Sequence, residues 1–574
     1  MIETALPPGL ILIASGLLTL VLPRGARGAA LLLAPLLTLF TAWYLSGFAA
    51  PAPEGSAFSG TLYLTGANWL GMELHPVRID ALGLLFTTVF AITAFAGGLF
   101  ALRLPDAKEL AALQVYAGSA VGAVLAGDVV TLFVFWELMA IASTIIIWAG
   151  GAGAKGAGLR YAAIHFLGGA FLMAGIAGQV VTTGETAFTA LPDGGIIPAL
   201  VLVAFLINAG AWPLNAWLPD AYPRASWAGT VFLSAFTTKT AVYALVRGFP
   251  GEEWLIWLGM ATMLYGIVYA LIETELRRLL CYAIIAQTGF MLVGTGIGTP
   301  MALDGAAGHA FVSILYSALL FMAAGAILRQ TGTVEAERLG GLWRAMPLTA
   351  GLAVIGAVCI SAFPGTGAFV SKSLISSGAG KAEMLWVWLG LTAAGVGVVL
   401  HGGVRFPLLA FFQDRPGPRL TDPPLPMQAA MVIVAALVLA IAPAWQVFYA
   451  LLPGTPDYMP YKASGVLAQF QLLVFGAIAY LAAWRLLPVR AGTTLDTDWL
   501  YRGAGRAVAR VGGEGLLALY ARAEAWTVDR YIRVIDSLYS MHGPGGALAR
   551  SRPSGYMALW MTVMLLLLLV FTVV

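Results

Sequence analysis

Charge is what this sequence has least of. Only 59 of its 574 residues are charged, 31 basic plus 28 acidic, or 10%. An ordinary soluble domain carries roughly 25%. Polar and charged groups must cover the outside of a globule, so this stock cannot make a water-soluble surface. A soluble enzyme, a nucleic-acid binder and a disordered regulator are all excluded. Cysteine is nearly missing too. Cys281 and Cys359 both lie in apolar runs. Two such residues supply no disulfide framework, no CxxC metal site and no iron–sulfur ligand set. The chain also lacks a GxGxxG turn after a strand. No cofactor and no metal are therefore expected. A net charge of +3 implies no polyanionic partner. Lysine is rare, with Lys108, Lys155, Lys239, Lys372, Lys381 and Lys462 the full set.

What is present is apolar length. Residues of the hydrophobic class make up 60%, and mean hydropathy is +0.87. A membrane-crossing helix needs about 20 mostly apolar residues. Sixteen such segments are predicted, at 5–23, 28–47, 80–102, 109–127, 129–150, 158–182, 196–218, 226–248, 254–273, 279–299, 308–328, 346–380, 384–404, 425–452, 463–487 and 556–574. They are called spans 1 to 16. The fold class is an all-α polytopic membrane protein embedded in a lipid bilayer. The loop 48–79 is expected to form a small hairpin outside the bilayer. The first span has its basic residues after it, at Arg24 and Arg27. That order fits a retained helix better than a signal peptide.

Lys and Arg collect in short cytoplasmic loops. The loops after the odd spans 1–13 hold Arg24, Arg27, Arg103, Lys108, Lys155, Arg160, Arg224, Arg277, Arg278, Arg329, Arg338, Arg344, Arg415 and Arg419, fourteen in all. The opposite loops hold four: Arg78, Arg247, Lys381 and Lys462. This places the chain in the inner (cytoplasmic) cell membrane with its N-terminus outward. Six regions follow: 1–108 (spans 1–3 and the outer loop), 109–250 and 251–420 (two five-span repeats), 421–487 (spans 14 and 15), 488–555, and the last span, 556–574. In 488–555, Leu516, Tyr520, Trp526 and Ile535 alternate with Arg522, Glu524, Asp529 and Arg533. That spacing predicts an amphipathic helix along the cytoplasmic face.

A charge at bilayer depth costs roughly 2.5–3.5 kcal/mol on insertion scales, so each one needs a reason. Glu137 lies in VVTLFVFWELMAIASTIIIW, Lys239 in GTVFLSAFTTKTAVYALV, and Lys372 after AFPGTGAFVS. His165, His309 and His401 fall in spans 6, 11 and 13. Glu137 and Lys239 could form an ion pair that merely staples two spans, but desolvation offsets most of such a pair's attraction. Burial draws carboxyl and lysine pKa values toward neutrality, which suits proton-binding stations. Pro213, Pro219 and Pro223 interrupt span 7, and Pro364, with Gly365 and Gly367 beside it, interrupts span 12. Broken helices at matching places in spans 4–8 and 9–13 point to an inverted-repeat transporter with a hydrated path.

FVFWELM, PLNAWLPDAYPRA, TKTAVYALVR, ELRRLLCYAIIAQTGFML, LLFMAAGAIL and FPGTGAFVSKSLI occur in that order over about 80–420. Together they resemble the antiporter-like membrane subunits. That family includes the D subunit of Mrp-type multisubunit sodium/proton antiporters, the proton-pumping subunits of respiratory complex I and hydrogenase relatives. The resemblance implies that Glu137 is the essential span-5 glutamate, Lys239 the central lysine, and Lys372 the station of broken span 12. His309 would wire the axis between them. The Glu275, Arg277, Arg278 turn would be structural. Two family lysines are replaced, one in span 7 by Asn208 and one in span 11 by Ser317, with Ser313 in place of a nearby histidine. With His165 and His401, these positions form a second tier along the path. The implied partners are other subunits of a multisubunit membrane complex, with protons and Na+ as the ions moved. Two other readings stay open: a pumping subunit of a redox-driven complex, and a non-pumping structural paralogue.

Overall fold

The computed structural model describes residues 6–48, 62–64, 68–69, 72–192, 194–413, 420–483, 496–543, 546 and 554–573. Arg415 and Arg419 lie outside the described residues. The chain divides into two compact units, Met1–Thr494 and Leu495–Val574.

Each predicted span has a helical counterpart, and the chain is an integral multi-pass membrane protein. Among the described residues, eleven helices are long and apolar enough to cross a membrane, and shorter apolar helices accompany them. Spans 1–6 are the helices Gly9–Val21, Arg24–Ser46, Ala81–Ala101, Ala107–Val124, Val129–Trp148 and Lys155–Thr183. Asp80, Asp106 and Asp128 cap spans 3, 4 and 5, each accepting a backbone N–H of the first turn. Within 48–79, Leu62–Leu64 pairs antiparallel with Val77–Ile79, and Asn68–Trp69 pairs with Met72–Glu73.

The interruptions are more numerous than proline alone announces. Span 7 breaks between Ile196–Ala209 and Trp217–Ala221, and span 12 between Pro347–Ile360 and Gly367–Lys381. Ala362 holds φ 54° and Gly365 φ 98° inside the second break. The alanine value is strained for a residue with a Cβ. Span 8, expected to be continuous, is two helices, Gly229–Leu233 and Thr237–Gly248. Span 13 runs from Leu385–Val398 through a π segment, Val399–Arg405, into Phe406–Ala410. Span 14 is likewise divided into Leu425–Ala440 and Trp445–Ala450.

The most buried elements are span 8, span 10 (Leu276–Ile297) and span 11 (Pro300–Thr331). Span 11 packs against both halves of span 12, against span 10 and against span 3. Span 9 (Trp254–Ile272) lies close along span 10. A Cβ on Gly289 would sit 2.5 Å from the Gly259 carbonyl oxygen, so small residues set that approach. Arg277 reaches from the start of span 10 to the Ala225 carbonyl (2.8 Å), Thr230 (3.1 Å) and the Pro223 carbonyl. Glu275 accepts from the Arg277 and Arg278 amides as the cap of span 10. That turn therefore holds the loop between spans 7 and 8.

Two ion networks, one buried and one partly exposed, relate span ends. Arg247 at the end of span 8 donates to both oxygens of Asp80 at 2.7 and 2.8 Å, and Arg78 lies 3.4 Å from the same carboxylate. Arg160 at the start of span 6 forks onto Asp220 at 2.7 and 2.9 Å. The first network brings the start of span 3 and the end of span 8 to one face, as the loop alternation expects.

The second unit holds a 45-residue helix, Asp498–His542, and span 16 as Ser554–Val573. Leu516, Tyr520, Trp526, Tyr531 and Ile535 on the long helix are exposed.

Candidate functional site

The two lysines of the apolar spans, Lys239 and Lys372, lie where the helices break. A broken helix frees carbonyls at the end of its first half. In span 8 the first half ends at Leu233, and Lys239 sits in the first turn of the second half. Its Nζ donates back to the Ser234 carbonyl at 3.4 Å. Lys239 is 1% exposed, and no carboxylate lies within ion-pair distance of it among the described residues. In span 12 the arrangement recurs. Lys372 Nζ donates to the Ile360 carbonyl, the last of the first half, at 3.4 Å. It also stands 4.3 Å from the centre of the Phe290 ring. Both ammonium groups thus rest on the negative end of a half-helix.

His309 joins span 11 to its neighbours. Its Nδ1 is 3.0 Å from Ser371 Oγ, and its Nε2 is 3.0 Å from Gln287 Oε1 in span 10. Ser371 precedes Lys372 in the chain. His401 sits in the π segment of span 13, fully buried, with no hydrogen-bond partner on either ring nitrogen among the described residues. Such π turns recur at functional positions.

Glu137 stands at the other end of the row. It is half-buried, and its Oε1 is buried without a hydrogen-bond partner among the described residues. A Cβ on Gly169 of span 6 would overlap that oxygen, so the glycine makes the space the carboxyl fills. Glu137 and Lys239 form no ion pair among the described residues. Asn208 Oδ1 lies 2.9 Å from His165 Nδ1. Ser313 bonds its own helix at the Ala310 carbonyl, and Ser317 is 5% exposed.

Several residues escaped sequence reasoning. Gln287 and Ser371 flank His309; the amide in an otherwise apolar run was the only available signal for Gln287. Tyr116 in span 4 holds the break of span 8. Its hydroxyl accepts from the Thr237 amide at 3.0 Å and lies 2.7 Å from Thr237 Oγ1. Nothing in the sequence marks that pairing.

Comparison with known proteins adds to this geometry. The family described as NADH:quinone oxidoreductase/Mrp antiporter, TM, matches residues 126–397. The chain is 31% identical over 438 residues to the A/B subunit of a probable K(+)/H(+) antiporter of Rhizobium meliloti, covering 69% of this chain and 42% of that one. It is 34% identical over 271 residues to the D subunit of an Na(+)/H(+) antiporter of Alkalihalophilus pseudofirmus, covering 44% and 55%. It is 30% identical over 399 residues to the M subunit of the NADH-quinone oxidoreductase of Pseudomonas aeruginosa, covering 63% and 77%. The match thus spans about half the length of the first two relatives. Among solved structures, a chain of the Mrp complex from a Dietzia species superposes with a TM-score of 0.74 at 23% identity, over 91% of this chain and 62% of that one. A chain of the membrane-bound sulfane sulfur reductase, an archaeal respiratory membrane complex, superposes with 0.70 at 22% identity, over 98% and 99%. These likenesses show the fold, and the sequence matches show the membership: the chain belongs to the NADH:quinone oxidoreductase/Mrp antiporter transmembrane family.

Proposed function

We propose that the chain is the proton-translocating subunit of a multisubunit monovalent cation/proton antiporter, with Na+ as the exchanged cation. Protons cross by way of Glu137, Lys239, His309 and Lys372, with Asn208, Ser313, Ser317, His165 and His401 lining the route. The observation that carries this reading is the pair of lysines in broken spans. Each is held by a freed carbonyl, and neither by a counter-ion among the described residues. A structural lysine at bilayer depth needs an acidic partner, because an uncompensated buried charge is costly. One that exchanges its proton needs a place to be held and freedom to let go. His309 is bonded to the residue beside Lys372.

The two five-span repeats, 109–250 and 251–420, fit this use. In each, the fourth span is interrupted, and the fifth departs from a regular α-helix, by a break in span 8 and by a π segment in span 13. The chain resides in the cell membrane with its N-terminus outward, as the excess of Arg and Lys on one side favours. It works beside other subunits of a membrane complex. A second reading is a proton-pumping subunit of a redox-driven complex, in line with the quinone oxidoreductase relative, 77% of whose length is covered. In that case the electrons travel elsewhere, since Cys281 and Cys359 are buried and solitary.

The test is a tagged complex, purified intact and reconstituted into vesicles carrying a pH dye. A sodium pulse should move protons, and Lys239→Gln should slow that exchange about 10²-fold, the scale of a lost proton-transfer group. Wild-type exchange in the assembled variant overturns the role of Lys239. Mass spectrometry of the co-purified subunits separates the readings, because cluster-bearing partners would favour the redox-driven one.

A further inference from the structure

Counting from the start of each five-span half, the third span carries a buried histidine bonded to the fourth. In the second half this is His309 of span 11, at 3.0 Å from Ser371 of span 12. In the first half it is His165 of span 6, at 2.9 Å from Asn208 of span 7. The second span supplies the next group in each case. His309 Nε2 meets Gln287 of span 10 at 3.0 Å. The span-5 residue that reaches span 6 is Glu137, whose carboxyl occupies the space left by Gly169. Gly169 is one helical turn beyond His165, and residues four apart on a helix share a face with about 5–6 Å between their Cβ atoms. The carboxyl therefore lies over the face of span 6 that carries the imidazole.

The imidazole is built in. His165 is 1% exposed, with its ring centre 4.0 Å from that of Tyr161 and 4.6 Å from that of Trp217. Tyr161 is itself fixed by donating to Ser143 Oγ at 2.9 Å. The Nε2 of His165 is buried and has no protein partner among the described residues. Asn208 cannot carry a proton charge, but it holds the ring at Nδ1 and leaves Nε2 as the reactive nitrogen. Tyr161 beside it, Tyr222 against Tyr161, and Glu137 are the titratable groups near it among the described residues.

We propose that His165 is the protonatable partner of Glu137, the first half's counterpart of His309. A proton leaving the Glu137 carboxyl for Nε2 breaks an O–H bond, forms an N–H bond and leaves a carboxylate beside an imidazolium. That ion pair collapses when the proton passes on to Lys239, once that ammonium has released its own proton along the path. The inference deepens the proton path proposed above and rests on it.

The test uses the whole complex in vesicles, pulsed with Na+ or K+ between pH 6 and 9. His165→Gln keeps a polar side chain beside Asn208 but cannot be protonated, and should slow exchange at least tenfold with assembly intact on a native gel. Adding Asn208→Lys places a cation beside the vacated position and should restore part of the rate with an altered pH profile. Exchange by H165Q within twofold of wild type, with an unchanged profile, overturns the proposal. So does a loss that N208K leaves untouched. Glu137→Gln is the control for the underlying path. If E137Q is inactive while H165Q is not impaired, only the histidine assignment falls; if E137Q exchanges like wild type, the path itself falls.

Discussion

Gly169→Ala separates placement of a carboxyl from stability of the protein. The new Cβ would overlap Glu137 Oε1, so the carboxyl oxygen must shift by about 2 Å to reach an ordinary contact. Overpacking usually costs about 1–3 kcal/mol. Here the obstructing atom is the tip of a flexible, half-buried side chain, which places the cost at the low end. Gly169 also lies inside the long helix Lys155–Thr183, where alanine gains about 0.5–1 kcal/mol over glycine. The two terms nearly cancel, and the melting temperature should barely move. Transport should not be spared, because a 1 Å misplacement of a reacting group can cost about 10²-fold. Gly150→Ala is the control. Its Cβ would overlap the Arg224 backbone carbonyl, which cannot swing aside, and the residue lies past the end of span 5. That variant should lose stability by about 2–3 kcal/mol. The assay is thermal unfolding of the assembled complex beside sodium-driven proton exchange in vesicles. Wild-type exchange by G169A, or a melting loss equal to that of G150A, refutes the reasoning.

Two further outcomes are expected. Asp80→Asn should cost about 3–5 kcal/mol, as breaking one side of a buried ion network does, seen in thermal unfolding of the complex. Burial pushes the Asp80 carboxyl up, but Arg247 and Arg78 outweigh it and hold the group below its ordinary value of 3.8. Its contribution is therefore complete above the ordinary carboxyl range and is lost only as pH falls through the lowered value. A melting curve for wild type and D80N should keep a constant gap from pH 8 to 5 and close only in stronger acid. Tyr116→Phe should cost about 1–3 kcal/mol by leaving the Thr237 amide at the break of span 8 without its acceptor, measurable by faster hydrogen exchange at Thr237.

The architecture was largely legible because bilayer crossing is written in composition. Apolar length located the spans, and Pro213 and Pro364 announced two breaks, since proline removes a backbone donor. The break in span 8 was not legible. GTVFLSAFTTKT contains no proline, and its interruption depends on a hydroxyl from span 4, 121 residues earlier. Charged residues at mid-span were legible as oddities, so Glu137, Lys239, Lys372 and His309 stood out. Their supports did not, because Ser371 and Gly169 are common residues whose meaning lies in what faces them. Arg78 and Arg247 illustrate the reverse case. Counted as loop charges, they turn out to be folded inward around Asp80.

The long bonds from Lys239 and Lys372 to main-chain oxygens have a consequence for speed. Parting a buried ion pair costs about 3–5 kcal/mol. A hydrogen bond from a charged donor to a neutral carbonyl contributes only about 1.5–3 kcal/mol, and at 3.4 Å both contacts sit at the loose limit. The difference, about 2 kcal/mol, corresponds to about 30-fold in the rate of departure. Tethers of this kind leave no stranded counter-charge when the side chain swings away. A turnover cycle that swings such a side chain out and back is correspondingly faster than one that must tear apart and remake a buried pair each time.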